Sequence, residues 1–423
     1  MSFARQWLHR LIVLVVFASA GAVASPAQAL PEDFGLPKFQ YSAFYVPPAP
    51  LPAGQPGDII RAERLDFSHA VTRPPAGTIG WRVMYRSTSA TAAPIAVTGT
   101  VLLRTDVTPA QGAAQRPIVA YGNEAQGLGD NCAVSRLLVH GHTGEIALWQ
   151  DLLKAGYAVA STDFEGLGTP DVHTFGVTAS GARNMLDMLR AARNLDAAQL
   201  PKDGPLGLFG YSQGGAAAGF AAEIAATYAP ELKITAAAFG GAPINPISVS
   251  RYANGSFFSS VNFGASVGYD AAYPELDLDS FLNEKGQALK KKIYGACIEM
   301  IFPLAFKNNA GTLRPGKDPL TDPRWKVRFA ENTLGQSAPQ FPIYYYHAQL
   351  DQASPVRDAR TLRRAYCAGK SPLRYLEIPA MEHVATGPVW VPQSAKWLRA
   401  RFEGKPDAGN CGKGMILGFL TEQ

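Results

Sequence analysis

Gly210-Tyr211-Ser212-Gln213-Gly214 has the form Gly-x-Ser-x-Gly. A serine in that setting can serve as a nucleophile. It must project from a sharp strand-to-helix turn in a strained backbone conformation, and side chains two residues to either side would block the turn. The same turn sets Ser212 at a helix N-terminus, where backbone N–H groups point towards a developing negative charge. The pattern recurs at Gly264-Ala265-Ser266-Val267-Gly268, so the pattern alone does not decide. Context does. Ser212 follows the strand-like run Pro205–Phe209 and precedes Gly215-Ala216-Ala217-Ala218, small residues that let a helix pack closely on a sheet. Ser266 follows Phe257-Phe258-Ser259-Ser260, with no strand before it. The bland reading of Ser212 is a glycine-rich turn with an idle serine; the strand–turn–helix frame argues against it.

A serine hydroxyl needs a neighbouring base, and the base needs an orienting carboxylate. With the chain order serine, acid, histidine, only His347 and His383 qualify as base. His347 sits inside the apolar run Pro342–His347 and reads as a buried or strand-end residue. His383 lies in Ala380-Met381-Glu382-His383, a loop beyond the strand-like Leu373–Pro379, where a base must stand. Asp351 follows the preceding strand and is the preferred acid; its bland reading is a cap for the next helix through Ser354 and Pro355. Asp358 is the alternative acid, within the helical pattern Val356–Ala365. The oxyanion formed on attack needs two backbone donors. One is the N–H of Gln213. The second belongs to Asp163, in Thr162-Asp163-Phe164-Glu165-Gly166, or to the Gly122 loop, Tyr121-Gly122-Asn123-Glu124, and the residues leave these even.

These groups must be held at the ends of strands. Candidate strands are Gly80–Ser87, Pro94–Leu103, Pro117–Tyr121, Tyr157–Thr162, Pro205–Phe209, Ile234–Phe239, Pro342–His347 and Leu373–Pro379. Gly176–Leu195 carries apolar residues at helical spacing. Short apolar strands alternating with helices predict an α/β fold with a mostly parallel central sheet flanked by helices. The alternation breaks over 242–332, where Phe257, Phe258, Phe263, Ile301, Phe302, Leu304 and Phe306 recur at helical spacing. That interval is too long for a loop and reads as an inserted helical cap between core segments 30–241 and 333–423. Its apolar residues either line a pocket or form the cap's own core. Residues 30–60, rich in proline, read as an extended arm.

Arg5 and Arg10, the apolar run Leu11–Val16 and Ala27-Gln28-Ala29 together read as a secretory signal peptide over residues 1–29, cut after Ala29. The apolar run is too short for a comfortable membrane span. The chain of 423 residues has a formal charge of +5, scattered apart from Lys290-Lys291-Lys292, and nothing in it suggests nucleic acid. Cys132, Cys297, Cys367 and Cys411 are an even set in an exported chain, which suggests two disulfides of open connectivity. Cysteine and histidine are not clustered at zinc-ligand spacing, so no metal and no cofactor is expected.

The features Gly129-Asp130-Asn131-Cys132-Ala133, Asp163-Phe164-Glu165-Gly166, Gly210-Tyr211-Ser212-Gln213-Gly214-Gly215 and the Asp351 and His383 loops give the chain a family likeness. It resembles the secretory lipase family (the Candida antarctica lipase A type) of the α/β-hydrolase superfamily. The resemblance implies a triad of Ser212, Asp351 and His383 and an oxyanion hole of the Gln213 and Asp163 N–H groups. It also implies disulfides Cys132–Cys297 and Cys367–Cys411. The implied activity is hydrolysis of an ester or lipid substrate, with transient contact at a lipid interface. Short-chain or specialised esterase and acyltransferase chemistry would use the same triad. A secreted binding protein that kept the fold and lost catalysis is the reading from another class.

Overall fold

Nine strands order themselves by which residues can be buried on both faces. The computed structural model describes residues 42–413, apart from 71, 111, 141, 142 and 305–308, so the signal-peptide reading lies outside the described residues. The strands are β1 (Ile59–Arg64), β2 (Thr78–Thr88), β3 (Pro94–Arg104), β4 (Ile118–Gly122), β5 (Ala158–Thr162), β6 (Leu206–Tyr211), β7 (Ile234–Gly240), β8 (Ile343–Ala348) and β9 (Leu373–Ile378). They form one sheet in the order β1-β2-β3-β5-β4-β6-β7-β8-β9. The first three pair antiparallel, as do β3 and β5; from β5 to β9 every pairing is parallel.

The parallel strands are buried apart from Thr235 and Arg374, and their alternate residues feed two cores, as a two-residue side-chain period requires. Leu206 and Leu208 of β6 join one core, with Phe209 and Tyr211 in the other; Ile118 and Ala120 of β4 divide likewise from Val119 and Tyr121. One face is covered by Thr178–Asn194, Gln213–Tyr228 and Val356–Ala368, the other by Val134–His140, Glu145–Lys154 and His383–Phe402. We call these helices, in chain order, α1 (Val134–His140), α2 (Glu145–Lys154), α3 (Thr178–Asn194) and α4 (Gln213–Tyr228). Trp149 of α2 is fully buried on this scaffold. Its truncation to alanine is expected to cost about 3–5 kcal/mol.

Between β7 and β8 the chain is helical: α5 (Pro246–Ala253), α6 (Ser259–Ala272), α7 (Glu284–Tyr294), α8 (Ile298–Ile301) and α9 (Pro323–Glu331), with short 3-10 turns. Among the described residues of 242–332 the only extended pairings are the single bridges Gly127↔Cys297 and Leu282↔Leu313. This stretch has a core of its own, with Phe263, Tyr269, Phe281, Trp325 and Phe329 buried together and the Trp325 indole N–H donating to Leu276 O at 3.2 Å. Two more helices close the chain, α10 (Val356–Ala368) and α11 (His383–Phe402). Disulfides join Cys132 to Cys297 and Cys367 to Cys411.

The sequence reading missed β1. Of residues 30–60, read as an extended arm, the described part holds a 3-10 turn at Ala43–Tyr45 and, from Ile59, an edge strand that pairs with β2. After Ile59-Ile60 the strand reads Arg-Ala-Glu-Arg and its outer half is exposed. An edge strand wetted on one side and charged to resist further pairing carries little apolar signal.

Candidate active site

The site is built at the carboxyl ends of β4, β6, β8 and β9. Strand β6 delivers Tyr211 and then Ser212, which has φ 55° and ψ −122° immediately before α4 begins at Gln213. A non-glycine residue at positive φ persists only where its surroundings hold it. Here the Ser212 N–H donates to Gly240 O at 3.0 Å. A Cβ on Gly210 would overlap the Gly214 carbonyl, and a Cβ on Gly214 would overlap the Gly122 carbonyl. Both glycines are therefore required by space, as the close turn demands.

His383 is the first residue of α11, five residues beyond the end of β9. Its Nε2 lies 2.8 Å from Ser212 Oγ and its Nδ1 2.7 Å from Asp351 Oδ2. The ring is set between Tyr211 and Phe258, with centroids 5.3 and 5.5 Å away. The Tyr211 hydroxyl donates to His383 O at 2.7 Å. Asp351 follows β8, and its Oδ1 accepts from the N–H groups of Ala353 at 2.9 Å and Ser354 at 2.7 Å. One oxygen thus shapes the loop ahead of α10 while the other binds His383; α10 starts after Pro355 with no side-chain cap, so Asp351 is not its cap. Burial pushes the Asp351 carboxyl upward, but His383, with help from His347 and the Ser354 N–H, brings it below its ordinary range. Burial likewise depresses His383, yet the Asp351 carboxylate, joined by Glu124 and Glu382, leaves it net raised. Asp351 is thereby kept ionised and the imidazolium favoured, the electrostatic condition for a base that must accept a proton.

The other candidates fall elsewhere. His347 is fully buried in β8, shares a hydrogen bond with Ser354 O at 2.9 Å and stands 3.6 Å from Asp351 Oδ2. Asp358 lies in α10 and accepts from Ser248 Oγ at 3.0 Å. Ser266 is in the middle of α6, where its Oγ faces Asn262 O one turn back at 3.5 Å.

Asp163 requires a correction. Its N–H donates to Thr98 O at 2.8 Å across the β3–β5 pair, and so is spent. Its buried carboxyl accepts from Ser135 N–H at 2.9 Å and Thr98 Oγ1 at 2.7 Å, and the residue does not line the pocket. The strand order explains this. β4 pairs directly with β6, Gly122 opposite Gly210, whereas β5 stands one strand further away. The Gly122 loop runs beside the turn, with Glu124 and Ala125 bordering the pocket, while the Asp163 loop brings only Phe164 to its wall. Glu124 N–H is taken by Glu145 Oε1 at 3.0 Å; among the described residues no acceptor engages the Ala125 N–H.

A cavity of about 260 Å³ opens onto Ser212 and His383. The helical stretch between β7 and β8 supplies Phe258, Tyr269, Phe302 and Phe329 to its wall, and Phe164 and Phe175 come from the segment between β5 and α3. The aromatic residues of that stretch therefore divide between wall and internal core, with Tyr269 and Phe329 serving in both. Glu124 is the only carboxyl among the described lining residues; burial raises it and His383 pulls it down. The wall is fixed to the helical stretch by the Cys132–Cys297 disulfide and by Leu128 N–H to Ala296 O (3.0 Å) and Ile298 N–H to Gln126 O (2.9 Å). The sequence places Glu124 only within the Gly122 loop and Phe258 only among residues of a pocket or a helical core; that both meet His383 follows from the folded loops.

A parallel sheet wrapped by helices, with a serine on a positive-φ turn at its centre, defines the class: an α/β-hydrolase. The fold matches the crystal structure of Candida antarctica lipase A with a TM-score of 0.78, covering 90% of each chain at 24% identity. It matches the rice cell wall degrading esterase of Xanthomonas oryzae with a TM-score of 0.69, covering 82% of this chain and 99% of that one at 18% identity. The secretory lipase family model matches residues 138–410, and the chain belongs to that family. It is a carboxylic-ester hydrolase. Among curated relatives, a secreted triacylglycerol lipase of Malassezia furfur is 26% identical over 87% of this chain and 77% of its own. Lipase A of Moesziomyces aphidis is 26% identical over 98% and 92%. A protein of Mycobacterium tuberculosis described as a probable inactive lipase is 27% identical over 86% and 82%.

Proposed function

We propose that the protein is a secreted serine lipase that hydrolyses fatty-acyl esters, acylglycerols among them, through Ser212, His383 and Asp351. The observation that carries this reading is the chain of contacts from Ser212 Oγ to His383 Nε2 (2.8 Å) and from His383 Nδ1 to Asp351 Oδ2 (2.7 Å) beside an apolar cavity. Ser212 Oγ attacks the ester carbonyl as His383 Nε2 takes its proton. The tetrahedral oxyanion is held by the Gln213 N–H at the start of α4 and by the Gly122 loop, with the Ala125 N–H as its donor. Collapse expels the alcohol, protonated by His383, and leaves an acyl-serine. Water then repeats the sequence and releases the acid. Asp351 holds the imidazole in one tautomer throughout.

An acyl chain laid against Phe258, Phe302 and Phe329 gains ~0.8 kcal/mol per buried methylene. Residues 242–332 are the cap that provides this wall. Two disulfides and membership of the secretory lipase family fit an exported protein, with residues 1–29 as the signal peptide removed after Ala29. The relative described as probably inactive makes loss of catalysis the reading to test against. The continuous Ser212–His383–Asp351 contacts support activity here.

The test is hydrolysis of p-nitrophenyl esters from acetate to palmitate, wild type beside Ser212→Ala. Turnover that disappears in the variant supports the serine mechanism, and an optimum at long chains supports the lipase assignment. An optimum at acetate moves the protein to the short-chain esterases. A folded wild type with no turnover on any ester overturns the reading.

A further inference from the structure

We propose that Gln352 is a positioning residue for the reaction, clasping the loop that carries the acid to the loop that carries the base. This inference rests on the triad reading above.

Asp351 and His383 arrive on separate loops, beyond β8 and β9, whose last paired residues are Ala348 and Ile378. A single side-chain bond joins the two groups, and a misplacement of about 1 Å costs about a hundredfold in rate. His383 is the first residue of α11, so its N–H has no carbonyl one turn back to receive it. Gln352 supplies the acceptor: its Oε1 takes the His383 N–H at 3.0 Å. Its Nε2 donates to Glu382 Oε2 at 2.8 Å. The opposite amide orientation would set donor against donor and acceptor against acceptor, so the two bonds fix each other. Glu382 in turn caps α11, with Oε2 accepting the Val384 N–H at 2.9 Å and Oε1 accepting that of Ala385. The His383 carbonyl is held by the Tyr211 hydroxyl at 2.7 Å. Both polar groups of the His383 backbone are thus tied, one to the acid's loop and one to the nucleophile's strand. Gln352 directly follows Asp351, so the clasp spans the two residues that must meet.

The test compares wild type with Gln352→Met, Gln352→Glu and the exchange Gln352→Glu/Glu382→Gln, using p-nitrophenyl ester turnover, the rate of Ser212 labelling by a fluorophosphonate, and thermal unfolding. Gln352→Met removes both bonds and keeps the bulk. Gln352→Glu keeps the acceptor for His383 but faces Glu382 with a second carboxylate. The exchange restores donor opposite acceptor between positions 352 and 382, and the amide oxygen at position 382 still accepts the Ala385 N–H, at the loss of the Val384 N–H bond. The expected result is a fall of about ten- to a hundredfold in kcat for both single variants, KM within about twofold, slower labelling in step, and recovery of most of the loss in the exchange. Single variants with wild-type kcat overturn the proposal. So does a loss that follows the unfolding midpoint and is not recovered by the exchange. A wild type that neither turns over esters nor labels at Ser212 overturns the triad reading itself, and the proposal with it. An active wild type with indifferent Gln352 variants removes the proposal alone.

Discussion

The chain carries two Gly-x-Ser-x-Gly segments, and the fold uses them in opposite ways. At Ser212 the backbone turns from strand to helix with φ at 55°, and the flanking glycines press on the backbone of β4 and on each other. At Ser266 the same spacing lies inside α6, a helix of 14 residues, and Gly264 and Gly268 serve only to let that helix approach Leu128 and Phe175. Both serines border one cavity. Only Ser212 has a histidine within hydrogen-bond reach and a backbone that aims its hydroxyl there. The lesson is that nucleophilicity belongs to the turn and its neighbours rather than to the five-residue pattern.

Substitutions test that contrast. The largest effect is expected from Ser212→Ala, with kcat on a p-nitrophenyl ester falling about 10⁴-fold or more. Equal turnover in wild type and variant would break the comparison. Asp351→Asn should cost about 10³–10⁴-fold by presenting the wrong tautomer of His383. It also sharpens the electrostatics. His383 is net raised because Asp351 outweighs burial, and the base acts only when neutral. In the wild type kcat/KM should therefore rise with pH through a midpoint above the ordinary ~6.5 of histidine. In Asp351→Asn burial is left to act, so that midpoint should move downward; a pH-rate profile that stays in place refutes the assignment of its cause.

Next come the glycines. Gly214→Ala puts a methyl group into the Gly122 carbonyl and should destabilise the protein by about 1–3 kcal/mol while distorting the elbow. Gly264→Ala meets the Leu128 side chain at 3.2 Å and the Phe175 ring at an ordinary 3.6 Å, and should cost less than about 1 kcal/mol. Urea unfolding of the two variants decides. The smallest effect is expected from Ser266→Ala, with kcat within about twofold of wild type and any change confined to KM, as for a residue touching the ground state alone. A collapse of kcat there would give the second motif a chemical role that its helix denies it.

What could be read from the residues followed burial. The six parallel strands show as apolar runs because both their faces are covered, β2 and β3 show because most of their residues are buried too, and β1, a charged edge, does not show. The elbow and the two loops after β8 and β9 were legible because each sits where an apolar run ends. The residues left Asp163 and the Gly122 loop even and the family resemblance chose Asp163; the topology of the sheet favours the other loop. Sequence order puts β5 after β4, but the sheet inserts it between β3 and β4, which turns the Asp163 N–H towards Thr98 and leaves the Gly122 loop beside Ser212. No local pattern records that exchange. Gln352 was invisible for a similar reason, since its partners Glu382 and His383 lie about thirty residues further on and meet it only when β8 and β9 pair.

The two disulfides divide the molecule unevenly with respect to a cut chain. Cys132–Cys297 closes a segment of 165 residues that contains Ser212, and Cys367–Cys411 closes one of 44 that contains His383. A protease cleaving after exposed Lys233 works inside the first closure, so the two pieces stay covalently joined until the protein is reduced. Cleavage after exposed Lys317 falls between the closures. Its products, one with the serine and the other with the acid and the histidine, are joined by no covalent bond. They stay together through non-covalent contacts, among them the β7–β8 pairing, the Tyr211 hydroxyl on His383 O and Leu334 N–H on Ile244 O. The nicked molecule is in effect a heterodimer whose candidate centre is shared between two non-covalently held pieces.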